Sequence, residues 1–477
     1  MKSSLKFSSR LEQEQYAPKY PAAKALAFFL LLAAGCVLSL ILPLRPTFSE
    51  SEKRELAKFP AFSLEALLDG SYFEAIDTWF SDTFPFRDQL VTVNGYVQSA
   101  YGLHPVEIHD QGGANFDDDE IPDVPTRPAD NTSSTTGATT TGSQPESTTT
   151  DITTQPESTT TAPPSKDIEP TAPPPSGEIN TQDLGAILVY GDAGYEYYGF
   201  STAAANSYIE LVNRAAARLD GTATVYDLLI PTSMDIVLDD SVRQSAKSAD
   251  QLKAIQYLYG SMDSRVKTID LFDTLRAHRN EYLYFRTDHH WTATGAYYAY
   301  AQFCAAKGMT APALESYQTK VFPDFLGSFY TKYKTPSLAA NPDIVTAYLP
   351  PCRATMQFTD RSGATRDWPV ISDVSGWASS SKYNTFIGGD NPLTVIQNQD
   401  RTDGSSCVVI KESYGNAFVP FLVADYQTVY VIDYRYYNGD LTEFVKKNGI
   451  QDVLFVNNMS ATRSSNLVGS MAKLVGQ

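Results

Sequence analysis

Cysteine, histidine and positive charge are all scarce in this chain, and each shortage excludes something. Its 477 residues include four cysteines. Cys36 lies inside a long apolar run, so Cys304, Cys352 and Cys407 can form at most one disulfide among them. Cys304 falls on an apolar helical face and Cys407 opens a β-branched run, which reads as two buried, unpaired thiols. There are five histidines. Two adjoin each other, and neither a cysteine pair nor a further histidine stands at ligand spacing from them, which argues against zinc. No metal and no cofactor is expected. Lysine and arginine number 37 against 55 acidic residues, a formal net charge of -18. Phosphate binding needs a basic face, so nucleic acid is excluded as a partner.

The two adjacent histidines sit in YFRTDHHWTATGAYYAY, from Tyr284 to Tyr300. On an extended backbone, residues two apart project to the same side. Asp288 is therefore expected to orient the ring of His290, with His289 pointing the other way. A carboxylate that fixes an imidazole's tautomer makes a general base with its orienting acid. A nucleophile is offered far downstream, where the run Cys407–Ile410 leads into KESYGNAFVPFLV. This reads as strand, tight turn and helix, with the Ser413 hydroxyl at a helix N-terminus whose free N–H groups can hold an oxyanion. Asp288, His290 and Ser413 would form an acyl-transfer triad, a constellation recognised by geometry and not by chain order. Two plainer readings stand beside it. Ser413 also fits a simple N-cap, and Asp288 with His290 a structural pair. His289 is the second candidate for base or orienting residue. Gly415, Asn457 and Asn458 are candidate oxyanion donors, the asparagines because they follow the apolar run DVLFV, although a turn role suits them as well. Trp291, Arg435 and Tyr414 are candidate substrate contacts, with Arg435 also placed to pair with Asp433.

The TDHHW core, the block ELAKFPAFSLEALLDGSYFEAIDTWFSDTFPFRD and the later KESYGNAF together resemble the DHHW family of bacterial surface proteins. That family is similar to the SGNH-like O-acetyltransferases that modify alginate and related exopolysaccharides. In those relatives an Asp-x-His-Trp motif supplies acid and base, and a later Lys-Asp-Ser or similar tripeptide supplies the nucleophile. By position, Asp288 and His290 match the first motif and Ser413 the second. The chain departs from the pattern in having His289 between acid and base and Glu412, not Asp, before the serine.

Taken in order, residues 1–24 are polar and carry several lysines, and 25–44 form an almost wholly apolar run. That is about the length a helix needs to span a bilayer, and the basic residues ahead of it place the N-terminus in the cytoplasm. An uncleaved anchor is favoured over a signal peptide. Residues 45–110 have helical spacing in LEALLDGSYFEAIDTWF and are expected to pack on the main domain, with Pro85 between two phenylalanines ending the helix. Residues 111–183 are rich in Ser, Thr and Pro and repeat QPESTTT and TAPP. They are expected to be a disordered linker that contributes reach.

From Leu184 to the end, short apolar runs near 186–190, 223–230, 266–270, 406–410, 427–432 and 452–456 read as strands. Helical patterns near 203–218, 247–260, 294–306, 416–424 and 440–448 alternate with them, and 308–400 reads as an insertion. The expected fold is α/β, an SGNH-hydrolase-like, mostly parallel sheet with helices on both faces. Its ligand site should lie beyond the carboxyl ends of the strands. The expectation for function is a membrane-anchored O-acetyltransferase outside the cell, acting on a polysaccharide. The resemblance implies a partner, a membrane-bound O-acyltransferase that supplies acetyl. A carbohydrate esterase with the same triad, or a non-catalytic glycan-binding protein, are the alternatives.

Overall fold

The computed structural model describes residues 185–476 continuously, preceded by 57–63, 71–85, 107–109 and 119–123 and by a few separate positions. The chain divides into two units, residues 1–100 and 101–477. In the first, helix α1 (Ser71–Asp82) ends before Pro85, as proline's missing N–H and its steric demand require. Arg45 lies with its guanidinium 4.0 Å over the Trp79 ring and donates to Thr83 Oγ1 at 2.6 Å, a cation at the negative end of the helix. The apolar run 25–44 lies, apart from Leu26, Phe29 and Leu30, outside the described residues. No helix among the described residues is long and apolar enough to cross a membrane.

The second unit opens with strands β1 (Glu107–His109), β2 (Ile187–Tyr190) and β3 (Ala193–Glu196), which form a small antiparallel sheet. The 186–190 run is thus a strand, but not one of the main sheet. Because β1 pairs with β2, the tract between them begins and ends at the same small sheet. Two points inside it also sit on the domain. Ile121 is buried in the main core, and Pro170 accepts a hydrogen bond from Trp377 Nε1 at 3.3 Å. The rest of 111–183 lies outside the described residues.

Next come α2 (Thr202–Arg218), β4 (Thr224–Ile230), α3 (Gln251–Gly260), β5 (Val266–Asp270), α4 (Ala293–Ala306), β6 (Thr319–Phe325) and β7 (Asp343–Tyr348). Strands β8 (Ala354–Thr359), β9 (Thr365–Trp368), β10 (Leu393–Asn398) and β11 (Ser406–Lys411) follow. Then come α5 (Gly415–Leu422), β12 (Thr428–Asp433), α6 (Leu441–Asn448), β13 (Asp452–Asn458) and α7 (Ser465–Val475). Eight strands make one sheet in the order β9-β8-β10-β12-β11-β13-β4-β5. The five from β12 to β5 run parallel, and β10, β8 and β9 are added antiparallel at one edge. The sheet is therefore mixed, and the supposed insertion 308–400 supplies three of its strands. Every residue of β11 and of β13 is buried. Successive side chains point to opposite faces, so both faces are covered there. The helices form two groups, α2 against α7 and α4 against α5.

One buried polar cluster has a pH signature. Tyr208 of α2 donates to Asp227 Oδ1 of β4 at 2.5 Å, and Asp227 Oδ2 is buried with no partner among the described residues. Burial pushes the Asp227 carboxyl up to about 7, against the smaller opposing effect of Tyr208. In the unfolded chain the group titrates near about 4, so stability falls as pH rises from there to about 7, and the penalty persists above. Asp227→Asn keeps an acceptor for Tyr208 and cannot ionise. It should raise the unfolding midpoint at pH 8, by about 1–3 kcal/mol in stability, and gain little at pH 4. An equal shift at both pH values, measured by thermal denaturation, would contradict the assignment.

Candidate active site

Four of the parallel strands deliver their carboxyl ends to the site. Ser413 follows β11, Asn458 closes β13, Arg435 follows β12, and Pro231 follows β4. The histidine segment is tied to that edge because Tyr284 donates to the Pro231 carbonyl at 2.6 Å. Tyr284 and Trp291 form an antiparallel bridge, and the chain between them bends. Asp288 and His290 therefore meet through a turn and not through strand alternation. Asp288 Oδ1 accepts the backbone N–H of His290 at 2.9 Å and lies 2.5 Å from its ring Nδ1. His290 Nε2 lies 2.7 Å from Ser413 Oγ. Three side chains far apart in sequence thus make one hydrogen-bonded line, all buried, with Ser413 the least so at 9% exposure.

The carboxylate and the ring are both held from several sides. Asp288 Oδ2 accepts the Ser328 N–H at 2.7 Å. Burial acts to raise the Asp288 carboxyl, but the imidazoles of His290 and then His289 outweigh it and hold it well below the usual carboxylate range. The His290 ring is clamped between Tyr383, stacked at 3.9 Å and 11°, and His289 at 3.7 Å. Tyr383 also donates to the Ser413 carbonyl at 3.0 Å, so one phenol positions base and nucleophile together. His289 does not point away as expected. Its Nδ1 lies 2.7 Å from Ser328 Oγ, and it is His290 that reaches Ser413.

Glu412 organises the nucleophile turn. Its Oε2 accepts the Tyr414 N–H at 3.0 Å and lies 3.3 Å from Ser413 Oγ, and its Oε1 accepts the Asn458 N–H at 3.0 Å. Burial raises this carboxyl, with Arg435 opposing. A glutamate in place of the shorter aspartate thus spans from β11 to β13.

Several predicted roles are corrected by position. Trp291 and Tyr414 are buried and spent on each other's segments, Trp291 Nε1 donating to the Tyr414 carbonyl at 2.9 Å and Tyr414 donating to the His289 carbonyl. Neither side chain is left exposed. Arg435 pairs with Asp433 at 2.7 Å and Asp390 at 2.8 Å, and Lys411 bonds the same two carboxylates. Gly415 is no oxyanion donor, since its N–H donates to the Glu412 carbonyl at 3.0 Å. Its glycine is required by contact, because a Cβ would stand 2.5 Å from Lys411 Cβ. Asn458 caps the helix Met459–Arg463 through its side chain, and Asn457 is fully buried beside Tyr208. The Ser413 N–H has no acceptor among the described residues.

Sequence reasoning missed Gly327, Ser328, Asp343, Tyr383 and Asp390, all within 308–400. Buried Asp343 accepts the N–H groups of Arg286 at 3.0 Å and Thr287 at 2.7 Å, fixing the backbone that leads into Asp288. Gly327 touches the acid itself, for a Cβ there would lie 2.2 Å from Asp288 Cβ and 2.3 Å from its Oδ2. Gly327→Ala should push the carboxylate out of line, cutting kcat by about 100-fold or more with a lowered unfolding midpoint. Wild-type kcat in that variant would show that the acid's placement is not critical. Asp288, His289 and His290 lie close enough to hold a metal ion. Both Asp288 oxygens and both His290 nitrogens are already engaged in the hydrogen-bonded line, so a metal there would have to break it.

The DHHW protein family matches residues 52–432. Among solved structures, a DHHW family protein from Eubacterium siraeum is 27% identical, with a TM-score of 0.56 over 62% of this chain and 97% of that one. Bacillus cereus PatB1, solved with a sulfonyl adduct, is 20% identical, with a TM-score of 0.51 over 59% of this chain and 97% of its own. The O-acetyltransferase domain of Pseudomonas putida AlgJ superposes more loosely, at 14% identity and a TM-score of 0.34 over 59% of this chain and 96% of its own. No curated protein matches this sequence.

Proposed function

The chain belongs to the DHHW protein family, and from that premise we propose that it is an SGNH-like serine O-acetyltransferase acting on a polysaccharide outside the cell membrane. The observation that carries the reading is the 2.7 Å contact between His290 Nε2 and Ser413 Oγ, with Asp288 on the other ring nitrogen. His290 takes the Ser413 proton as Oγ attacks the acetyl carbonyl, and the oxyanion forms against the Ser413 N–H. Collapse expels the donor's leaving group, which takes the proton from His290. A sugar hydroxyl then gives its proton to His290 and attacks the acetyl-serine, and the same proton returns to Ser413 as the ester leaves. Asp288 holds the ring's tautomer and steadies its charge throughout.

Acetyl and polysaccharide rest on the resemblance of the motifs, and the reaction class rests on the triad. The run 25–44 would anchor the enzyme with its N-terminus in the cytoplasm, beside a membrane-bound O-acyltransferase that supplies acetyl. The test is a chromogenic acetyl ester offered with and without an oligosaccharide acceptor. Transfer predicts acetylated glycan that depends on Ser413. Acetate as the sole product would make it an esterase, and turnover unaffected by loss of Ser413 would leave the serine-enzyme reading without support.

A further inference from the structure

The second histidine of the motif has a geometry that the triad does not use. The His289 and His290 rings lie 3.7 Å apart centre to centre and are tilted by 38°, with His290 Nδ1 at 2.5 Å from Asp288 Oδ1 and His289 Nδ1 at 3.9 Å from it and 2.7 Å from Ser328 Oγ. The other ring nitrogen of His290, Nε2, ends on the Ser413 hydroxyl. His289 Nε2 has no partner among the described residues, and its side chain keeps 13% exposure in an otherwise buried site.

The tautomer follows from Ser328. Its hydroxyl oxygen accepts the backbone N–H of His289 at 3.1 Å and lies 2.7 Å from His289 Nδ1. Ser328 is fully buried, and its hydroxyl has no other hydrogen-bond partner among the described residues. The hydroxyl therefore donates to Nδ1, and the ring's own proton sits on Nε2.

We propose that His289 is a catalytic residue distinct from the base, an imidazole whose Nε2–H donates to the acyl oxygen as that oxygen gains charge on Ser413. No proton is transferred, and the donor joins the Ser413 N–H in holding the tetrahedral intermediate. Burial first, and then neighbouring His290, push His289 down to about 3, with Asp288 opposing. The ring thus stays neutral under working conditions, suited to donating and unsuited to competing with His290 as base. A neutral histidine used as an electrophile has a precedent in the general chemistry of enzyme sites.

The inference rests on the acyl-transfer reading, and its test separates the two. His289→Ala and His289→Gln are compared with wild type and Ser413→Ala for acylation by an acetyl ester across pH, with unfolding midpoints taken alongside. His289→Ala should slow acylation by about 10²–10³-fold, and His289→Gln, which retains an N–H donor, should recover most of it. The acid limb of the pH–rate profile should not move, since His289 neither takes nor gives a proton. A fully active His289→Ala, or a displaced acid limb, overturns the proposal while Ser413-dependent turnover leaves the wider reading standing. Nitrogen-15 NMR of the histidine rings gives an answer even without turnover. The expected result is a neutral Nε2–H tautomer for His289 from pH 8 down to pH 5, and an Nδ1–H tautomer or a charged ring at pH 5 overturns the proposal.

Discussion

Ser413→Ala should lower kcat for acetyl transfer by at least about 10³-fold and abolish any acyl-enzyme, without unfolding the protein. The hydroxyl is the only atom removed, and it contacts His290 at 2.7 Å and Glu412 at 3.3 Å. What positions the turn stays in place. Tyr383 still bonds the Ser413 carbonyl, and Glu412 still joins the Tyr414 and Asn458 N–H groups. The unfolding midpoint should therefore change little. A variant with wild-type kcat would remove the nucleophile from the account, and a collapsed midpoint would mean the serine is structural.

Asp288→Asn is expected to cost about 10⁴-fold in kcat, because an amide cannot satisfy the donors on both sides of the carboxyl. Oδ1 accepts from His290 and Oδ2 from the Ser328 N–H. If the amide nitrogen faces Ser328, two donors meet there. If it faces His290, the ring is driven to carry its proton on Nε2, where it can no longer accept one from Ser413. The pH dependence has a definite sign. The Asp288 carboxyl is held below its usual value in the folded protein, so its stabilisation is complete above about pH 4 and is lost as pH falls through the depressed folded value. The gap in unfolding midpoint between wild type and Asp288→Asn should accordingly be widest near pH 7 and narrow in acid. A gap independent of pH, or a kcat within about tenfold of wild type, would contradict the role given to this carboxylate.

The parallel half of the main sheet was legible in the residues. Uninterrupted β-branched runs such as TVYDLLI, CVVI and DVLFV belong to strands buried on both faces, and β4, β11 and β13 are those strands. The antiparallel half was not. Strands β8 and β10 mix buried with exposed positions, as in ATMQFT, and no apolar run separates them from a polar insertion. The hydrogen-bonded line of Asp288, His290 and Ser413 was legible because these residues carry recognisable chemistry. The residues that hold it in place carry none on their own. Gly327, Asp343 and Tyr383 matter through room that a Cβ would close to 2.2 Å from Asp288, two backbone N–H bonds and one stacked ring, all between segments that only the fold brings together. Asp288 and His290 do meet, but in a bend and not on an extended strand, and the same bend places His289 beside His290, where a strand would have turned it away.

The most direct test of the central claim is peptide mass spectrometry after rapid quenching of the protein with an acetyl ester. The account predicts a single acetyl group on the peptide containing Ser413, present in wild type, slow to appear in Asp288→Asn and missing in Ser413→Ala. Turnover without any acetyl on Ser413, or the same modification in Ser413→Ala, would contradict it.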